Sequence, residues 1–393
     1  MKNEYIRRVA HIFEELADTL EAPSRGGDLP VVLTTTGSEF GAAELIRGAE
    51  EAASDGMQVL LVGPQSRSSL PAISCDDERQ AHAIMARLLE ERRAAAAVTL
   101  HYTFPLGVAT VGRVITPEGR PVFISTTTGT ASTGRVEALV KNAVYGLAVA
   151  KACGIPDPAI GLLNLDGARQ AEKILRGLAE AGYRVNFAES TRSDRGVLMR
   201  GNDLLAGAAD VIVTDTLTGN VLVKVLSAFT SGGRRETTGF GYGPGVGPGF
   251  DRVIGIVSRA SGAPVVANAL RLATQAAKGN LVGVAATETE SATRAGFAGF
   301  TEAAALCPRT AEEGAVGTFE AAHSTGFPRA AKILTEEIPG IDILELEDAC
   351  NVLTQKGIVA RTGMGCTGPI ILVSPEDKTP ALSALREGGY VHE

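Results

Sequence analysis

The stretch ADVIVTDTLTGNVLVK, Ala209–Lys224, carries the reading of the fold. Val211–Val213 is a short, wholly apolar run, as in a strand buried on both faces. It breaks at Thr214-Asp215-Thr216, and a helix follows to about Ala228. The same unit, an apolar run, a polar break and a helical pattern, recurs outward in both directions. Upstream, Val31–Leu33 breaks at Thr34–Ser38 and leads into a helix over about Ala42–Ala53. Gln58–Val62 and Ala95–Leu100 are further strands, with a helix over Ala81–Arg93 between them. Val111–Ile115 and Pro121–Ser125 flank Pro117-Glu118-Gly119 as a hairpin. Ser125–Arg135 reads as a hydroxyl- and glycine-rich loop that opens a long helix to Ala152. Strands at Ile160–Leu163 and Arg184–Phe187 enclose a helix over Ala168–Ala181, and Arg252–Val257 leads to a helix over Pro264–Lys278. The Gly/Pro stretch Phe240–Phe250 is expected to be irregular. Strands alternating with helices in this way predict an α/β fold on a mostly parallel sheet.

The texture changes at both ends. Tyr5, Ile6, Val9, Ile12, Phe13, Leu16 and Leu20 recur at helical spacing, and Ala22–Pro30 is a linker, so residues 1–29 form an N-terminal helix and linker. Residues 30–279 form the core. After Gly279 the composition turns Ala- and Thr-rich, a helix is expected over Thr318–Glu337 and a strand over Ile341–Leu346. Glu347–Gln355 reads as a helix, and Ile370–Val373 as a strand before a closing helix. Residues 280–393 are therefore expected to be a small appended α+β unit.

Composition narrows the function classes. A net charge of −8 and the absence of Trp argue against a nucleic-acid binder. No apolar run is long enough for a membrane span, and no signal-peptide core opens the chain, so a cytoplasmic protein is expected. Five cysteines without a CxxC pair argue against a disulfide framework or a zinc ribbon. No phosphate-binding GxxxxGK[ST] occurs, and no His, Asp and Glu residues have metal-ligand spacing. No metal and no cofactor are expected.

Three strand-end segments share hydroxyls and glycine at a helix entry. They contribute Thr36, Gly37 and Ser38; Thr126, Thr127 and Thr128; and Asp215, Thr218, Gly219 and Asn220. Hydroxyls and N–H groups at helix N-termini bind anions, although each segment alone fits a simple helix cap. Together they are expected to converge on one phosphate. Cys366 sits in GMGCTGP (Gly363–Pro369), where flanking glycines admit a partner and leave N–H groups to stabilise a thiolate. It is the candidate acyl carrier; the alternative is a small buried hydrophobe in a turn. Cys75, Cys153, Cys307 and Cys350 fit structural positions. His101, at a strand end, is the candidate acid/base, the alternative being a satisfied structural histidine; His11, His82 and His392 are expected at the surface.

Four stretches resemble the PlsX-type phosphate acyltransferases: Val31–Gly63, Pro158–Asp166 (PAIGLLNLD), Ala209–Lys224 and Tyr242–Leu270. Thr34–Glu39 stands where that family has a DAMGGD turn, and Asp215-Thr216-Leu217 where it has Asp-Gly-Phe. LHYTFPLGVATVGRV (Leu100–Val114), STTTGT (Ser125–Thr130) and GIVARTGMGCTGPIILV (Gly357–Val373) extend the resemblance over the whole chain, to the alpha subunits of component C of glycine/sarcosine/betaine reductase. That resemblance implies a three-layer αβα sheet similar to isopropylmalate dehydrogenase and phosphotransacetylase. It also implies an oligomeric acyltransferase making acetyl phosphate from a protein thioester and phosphate. Its partners would be a beta subunit similar to ketoacyl synthase III and the selenoprotein component A, and the acyl-carrying cysteine would fall on Cys366. A PlsX-type transferase acting on acyl-carrier protein and a non-catalytic scaffold for the beta subunit are the alternatives.

Overall fold

The computed structural model describes residues 29–64, 68–192, 195–299, 334, 336–341, 345–365 and 368–391. The helix expected over Tyr5–Leu20, most of the Thr318–Glu337 segment and Cys366 itself lie outside these residues.

The first half comprises β1 (Val31–Thr34), α1 (Ala42–Ser54), β2 (Val59–Gly63), β3 (Ala72–Ser74), α2 (Glu78–Glu90), β4 (Ala96–Thr99), β5 (Phe104–Pro105), β6 (Ala109–Ile115), β7 (Pro121–Gly129) and α3 (Arg135–Ala152). Then follow β8 (Ala159–Leu163), α4 (Ala168–Glu180), β9 (Asn186–Phe187), β10 (Leu198–Met199), α5 (Gly201–Ala206), β11 (Val211–Val213), α6 (Thr216–Ala228), β12 (Gly243–Val246), β13 (Ile254–Ile256), α7 (Ala263–Lys278) and α8 (Leu281–Arg294). The C-terminal part holds β14 (Glu336–Pro339), α9 (Leu346–Gln355), β15 (Ala360–Gly365), β16 (Gly368–Val373) and α10 (Lys378–Glu387).

One large sheet has the order β10-β8-β11-β7-β6-β12-β13-β4-β1-β2-β3, with β9 beside β8. Within each half the strands are parallel: β13, β4, β1, β2 and β3 on one side, β7, β11, β8 and β10 on the other. β6 is antiparallel to β7 and to β12, and β12 is antiparallel to β13. The two halves therefore run in opposite directions. Successive strand residues point to opposite faces. Val31, Leu33, Ala96, Val98, Val211 and Val213 face a core shared with α1, α3, α4, α7 and α8. Val32, Leu60 and Ala97 face α2, and Ile212 and Ile124 face α5 and α6. The result is an α/β fold, as the apolar strand runs predict, in the three-layer αβα arrangement that the family resemblance implies.

Two local expectations give way. Gly243–Val246, inside the segment expected to be irregular, is a strand in the middle of the sheet. Ser125–Gly129, expected to be loop, continues β7, because Thr126 Oγ1 donates to Thr110 O at 2.7 Å and Thr128 N to Thr110 Oγ1 at 2.9 Å. Half of the strand expected over Ile341–Leu346 lies outside the described residues; at its end Leu346 opens α9, and a strand is described just before it, at Glu336–Pro339. In addition, α8, beyond the composition change at Gly279, lies on the core: Glu288 accepts from Lys151 Nζ at 2.7 Å and from Tyr183 OH at 2.9 Å.

A second sheet, β14-β16-β15-β5, is wholly antiparallel. Its apolar face packs on α9 and α10 through Ile338, Ile371, Val373, Leu353 and Leu385. Its last strand belongs to the core segment, so the appended unit is hydrogen-bonded to the larger domain.

α3 is buried along nearly its whole length and crosses the sheet at Gly146, where an added Cβ would lie 2.5 Å from Val211 Cγ1 and 3.0 Å from Ser125 Cβ. Gly146→Ala should therefore cost about 1–3 kcal/mol by overpacking. Thermal denaturation checks this, and a midpoint equal to that of the wild-type chain would contradict the packing described.

Candidate active site

In open α/β sheets ligands bind beyond the carboxyl ends of strands where the strand order reverses. β1 lies between β2 and β4, so the connections after β1 and β4 leave in opposite directions. The carboxyl ends of β1 and β4 are that switch point.

Three hydroxyl and imidazole groups join there. Thr34 Oγ1 donates to Thr99 Oγ1 at 2.7 Å, His82 Nε2 lies 3.0 Å from the same oxygen, and Thr99 Oγ1 donates to His101 O at 3.4 Å. A hydroxyl has one proton to give. With the Thr99 proton on the His101 carbonyl, His82 donates through Nε2 and, when neutral, carries its lone pair on Nδ1. Burial pushes the His82 pKa below the ordinary histidine value and keeps the ring neutral near pH 7. His82, expected at the surface, is half-buried. His101 lies beside it; its Nε2 is 3.4 Å from Glu337 Oε1, which also accepts from Thr103 Oγ1 at 2.9 Å.

Thr36, Gly37 and Ser38 form the loop after β1. Thr36 Oγ1 is buried without a hydrogen-bond partner. Gly37 has φ +84°, a conformation that suits glycine, and is exposed. Ser38 Oγ accepts from Phe40 N at 3.1 Å, and Gly41, just before α1, offers the helix no side-chain cap. Glu39 N donates to Arg259 O at 2.9 Å, which ties this loop to the turn after β13.

That turn brings in cationic groups. Lys224 of α6 donates to Ser258 Oγ at 3.0 Å and pairs with Glu236 at 2.9 Å. Glu236 is fully buried and also accepts from Tyr242 OH at 2.9 Å and Ser261 Oγ at 2.8 Å. Arg235 stacks on Phe40, 4.2 Å from the ring centre, and reaches Glu44, which accepts from Ala263 N at 2.8 Å. Lys224 is thus fixed by a buried carboxylate and keeps about half its surface open. Sequence reasoning passed over it. It is the sole charged residue between Asp215 and Arg234, and that isolation in an apolar helix was the available signal.

The other two segments meet each other elsewhere. Asp215 caps α6, accepting from Thr218 N at 2.9 Å and Thr218 Oγ1 at 2.7 Å. Asn220 Nδ2 donates to Thr127 O at 3.1 Å, and Thr216 Oγ1 to Gly129 O at 2.8 Å. A Cβ on Gly219 would fall 1.8 Å from Thr126 O. The Thr126 and Thr127 hydroxyls are buried; Thr127 Oγ1 donates to Tyr242 O at 2.6 Å. These groups serve the close seating of α6 on β7. β7 runs opposite to β1 and lies five strands from it, roughly 24 Å at ordinary strand spacing. Two of the three segments therefore converge, and Thr36–Ser38 stands apart from them.

Cys366 lies outside the described residues. The strands on either side are described: β15 and β16 pair through Gly365 and Gly368, and β15 pairs with the core as Gly363↔Pro105 and Met364↔Phe104. β15 is antiparallel to β5, so beyond Met364 it leads toward Thr103. Among the other cysteines, burial pushes the Cys75 thiol up to about 11, helped by Asp77 and Asp76, and the Cys153 thiol up to about 12.

Among the described residues no helix is long and apolar enough to cross a membrane. The branched-chain phosphotransacylase structure from Enterococcus faecalis superposes with a TM-score of 0.46 at 17% identity, covering 63% of this chain and 99% of that one. The phosphate acyltransferase of Gluconacetobacter diazotrophicus is 41% identical over 95 residues, 22% of each chain. The glycine/sarcosine/betaine reductase complex component C subunit alpha of Peptoclostridium acidaminophilum is 46% identical over 386 residues, 98% of each chain. The sequence model for fatty acid synthesis proteins matches residues 29–372. With a match that runs from the first core strand into β16, and a relative aligned over nearly its full length, this chain belongs to the fatty acid synthesis protein family and, within it, to the component C alpha subunits of the glycine/sarcosine/betaine reductase complex.

Proposed function

We propose that this chain forms acetyl phosphate, transferring an acetyl group from a cysteine thioester to phosphate. It does so as the alpha subunit of a component C, with a beta subunit similar to ketoacyl synthase III and with the selenoprotein component A as the source of the acetyl group. The observation that carries this reading is the pairing of β15 with β5, which hydrogen-bonds the strand leading to Cys366 into the core segment that follows His101. The relatives named phosphate acyltransferase and component C subunit alpha support the same chemistry.

The reaction needs an anion site, a proton carrier and a leaving thiolate. Phosphate is held at the carboxyl edge of β1 and β13 by Thr36, Gly37, Ser38 and Lys224. One phosphate oxygen attacks the thioester carbonyl carbon on Cys366; the new C–O bond forms as the C–S bond breaks. The proton of the attacking phosphate passes to His82 Nδ1 and returns to the departing Cys366 thiolate, so acyl phosphate and thiol leave with charge balanced. His101 flanks the same path. Thr126–Thr128 and Asp215–Asn220 hold α6, and with it Lys224, in place.

Arsenate-dependent breakdown of acetyl phosphate reads the reaction backward and tests it on the whole chain, alone and with its beta subunit. Cys366→Ser should fold normally and lose turnover, because an alkoxide leaves far less readily than a thiolate. Mass spectrometry after incubation with acetyl phosphate should find the acetyl adduct on Cys366. An adduct elsewhere, or full activity of Cys366→Ser, sinks the assignment. Long-chain acyl phosphate turned over faster than acetyl phosphate would favour the acyl-carrier-protein reading instead.

Alkylation offers a separate check. At pH 8 a thiol with a pKa near 11 is about one part in a thousand thiolate. Cys75 and Cys153 should stay unmodified by iodoacetamide in the folded protein, and Cys366 should react first.

His82→Gln keeps an Nε2 donor for Thr99 and removes the ring base, so turnover should fall on the order of 10²–10⁴-fold. Because the folded His82 pKa is lowered, the wild-type rate should be lost only as pH falls through a value below the usual histidine range, when the ring becomes protonated. His82→Gln should lack that acid limb. A pH–rate profile identical in the variant would remove His82 from the proton path.

A further inference from the structure

α2 begins at the same edge of the sheet as the loop after β1, and its first turn carries a carboxylate to that loop. Outside its chain neighbours, the atoms nearest to a Cβ on Gly37 would be Glu78 Oε2, Oε1 and Cδ, at 3.8, 3.9 and 4.0 Å. A glycine leaves that space open. Glu78 is half-buried and has no hydrogen bond or ion pair among the described residues. The helix does not need it as a cap, because Asp77 accepts from Gln80 N at 2.8 Å. The cations of this edge are engaged elsewhere, Lys224 with Glu236 at 2.9 Å and Arg235 with Glu44 at 3.2 Å. Lys224 is the sole charge on α6, whose outer side carries an exposed apolar stripe of Leu217, Val221 and Val225. His82 follows Glu78 by four residues, on the same face of α2. Burial lowers its pKa, and the Glu78 charge pulls against that burial.

We propose that Glu78 is a specificity-determining residue of the phosphate site: it accepts a hydrogen bond from the P–OH of the bound anion, so the site takes phosphate and arsenate and rejects sulfate. The inference rests on the phosphate site assigned above to Thr36, Gly37, Ser38 and Lys224. Phosphate and arsenate keep at least one proton at neutral pH. Sulfate has nearly the same size and shape and keeps none. An unprotonated oxygen set against a carboxylate forms no hydrogen bond, since both groups only accept. A P–OH set against it forms a short, charge-assisted one. Thr36 Oγ1, buried without a partner, and the Lys224 ammonium donate to an oxygen of any of these anions, so they fix the place of the ligand and leave the choice among ligands to Glu78. The helix dipole favours an acid in a first turn, but it does not account for a carboxylate set against the backbone of an anion loop. The same contact orients the ligand. The proton-bearing oxygen is held toward α2, an unprotonated oxygen is left to attack, and the proton lies on the side of the helix that carries His82.

Titration calorimetry of the full chain with inorganic phosphate, arsenate and sulfate at pH 7 tests the assignment without relying on turnover. The wild-type chain should bind phosphate and arsenate alike and sulfate on the order of 10–100-fold more weakly, the worth of one hydrogen bond to a charged group. In Glu78→Gln the amide can donate to an unprotonated oxygen, so sulfate should bind within a few-fold of phosphate. Glu78→Ala removes the carboxylate without adding a donor and should also lose the discrimination. Far-UV circular dichroism checks that both variants fold. Thr36→Val and Lys224→Met should weaken phosphate and arsenate about 10-fold or more. Phosphate binding unchanged in Thr36→Val and Lys224→Met would remove the phosphate site from this loop, and the inference with it. Phosphate binding that falls in those two variants, while Glu78→Gln and Glu78→Ala still reject sulfate, would leave the site standing and overturn the role of Glu78 alone. A wild-type chain that binds sulfate as tightly as phosphate would overturn it too.

Discussion

The structure turns on the insertion of β12 between β13 and β6. Those two strands point the same way, and β12 runs antiparallel to both, so this one strand joins half-sheets that would otherwise each have a free edge. Its place leaves almost no room for side chains. A Cβ on Gly243 would lie 1.7 Å from Val111 O, and one on Gly245 would lie 2.3 Å from the Phe104 ring. Only a strand of GPGV type fits. Proline is tolerated in it at the cost of one donor. Because β6 then turns back into β7 as a hairpin, the second half-sheet runs opposite to the first. The carboxyl ends of β1 and β4 and those of β7 and β11 consequently fall on opposite edges, and a shared site for all three hydroxyl-rich segments is ruled out by strand direction.

This also explains what the sequence could and could not reveal. Apolar runs such as Val31–Leu33 and Val211–Val213 are read correctly because a strand buried on both faces has no alternative composition. Gly243–Val246 is hidden because the same glycines that mark loops also mark close backbone approach, and local pattern does not separate the two. Thr126–Gly129 is hidden for a related reason: its hydroxyls look available for a ligand but are consumed by Thr110 and the Tyr242 carbonyl. The break at Gly279 is a change of composition without a change of core, since α8 owes its position to the buried Glu288.

At the site, position was more legible than partnership. His101 and the Thr36–Ser38 loop follow from strand ends, where open sheets present ligands. His82 does not. It sits in a helix whose pattern is amphipathic, and it becomes half-buried only because Thr99, seventeen residues on, returns beside it through β4. Lys224 gains its fixed position from Glu236, which lies outside the named strands in a single β-bridge with Ser261 and has no local signal. Such groups are found from long-range pairings, and long-range pairing is what a single sequence withholds.

α6 ties these features together mechanically. Its first turn is held against β7 by the close approach at Gly219 and by Asn220, and its middle is held by the pairing of Lys224 with Glu236. Glu236 in turn rests on Tyr242, the residue before β12 begins. A helix fixed at both levels to the rigid join between the half-sheets cannot adjust its outer face by tilting. Its apolar stripe must be covered by a matching surface or remain in water. A contact made there reaches the edge where Lys224 stands through one rigid element, since the residues that set the outer stripe and Lys224 share a single helical register. The exposed stripe and the Lys224 ammonium therefore have a common structural support, without any moving part between them.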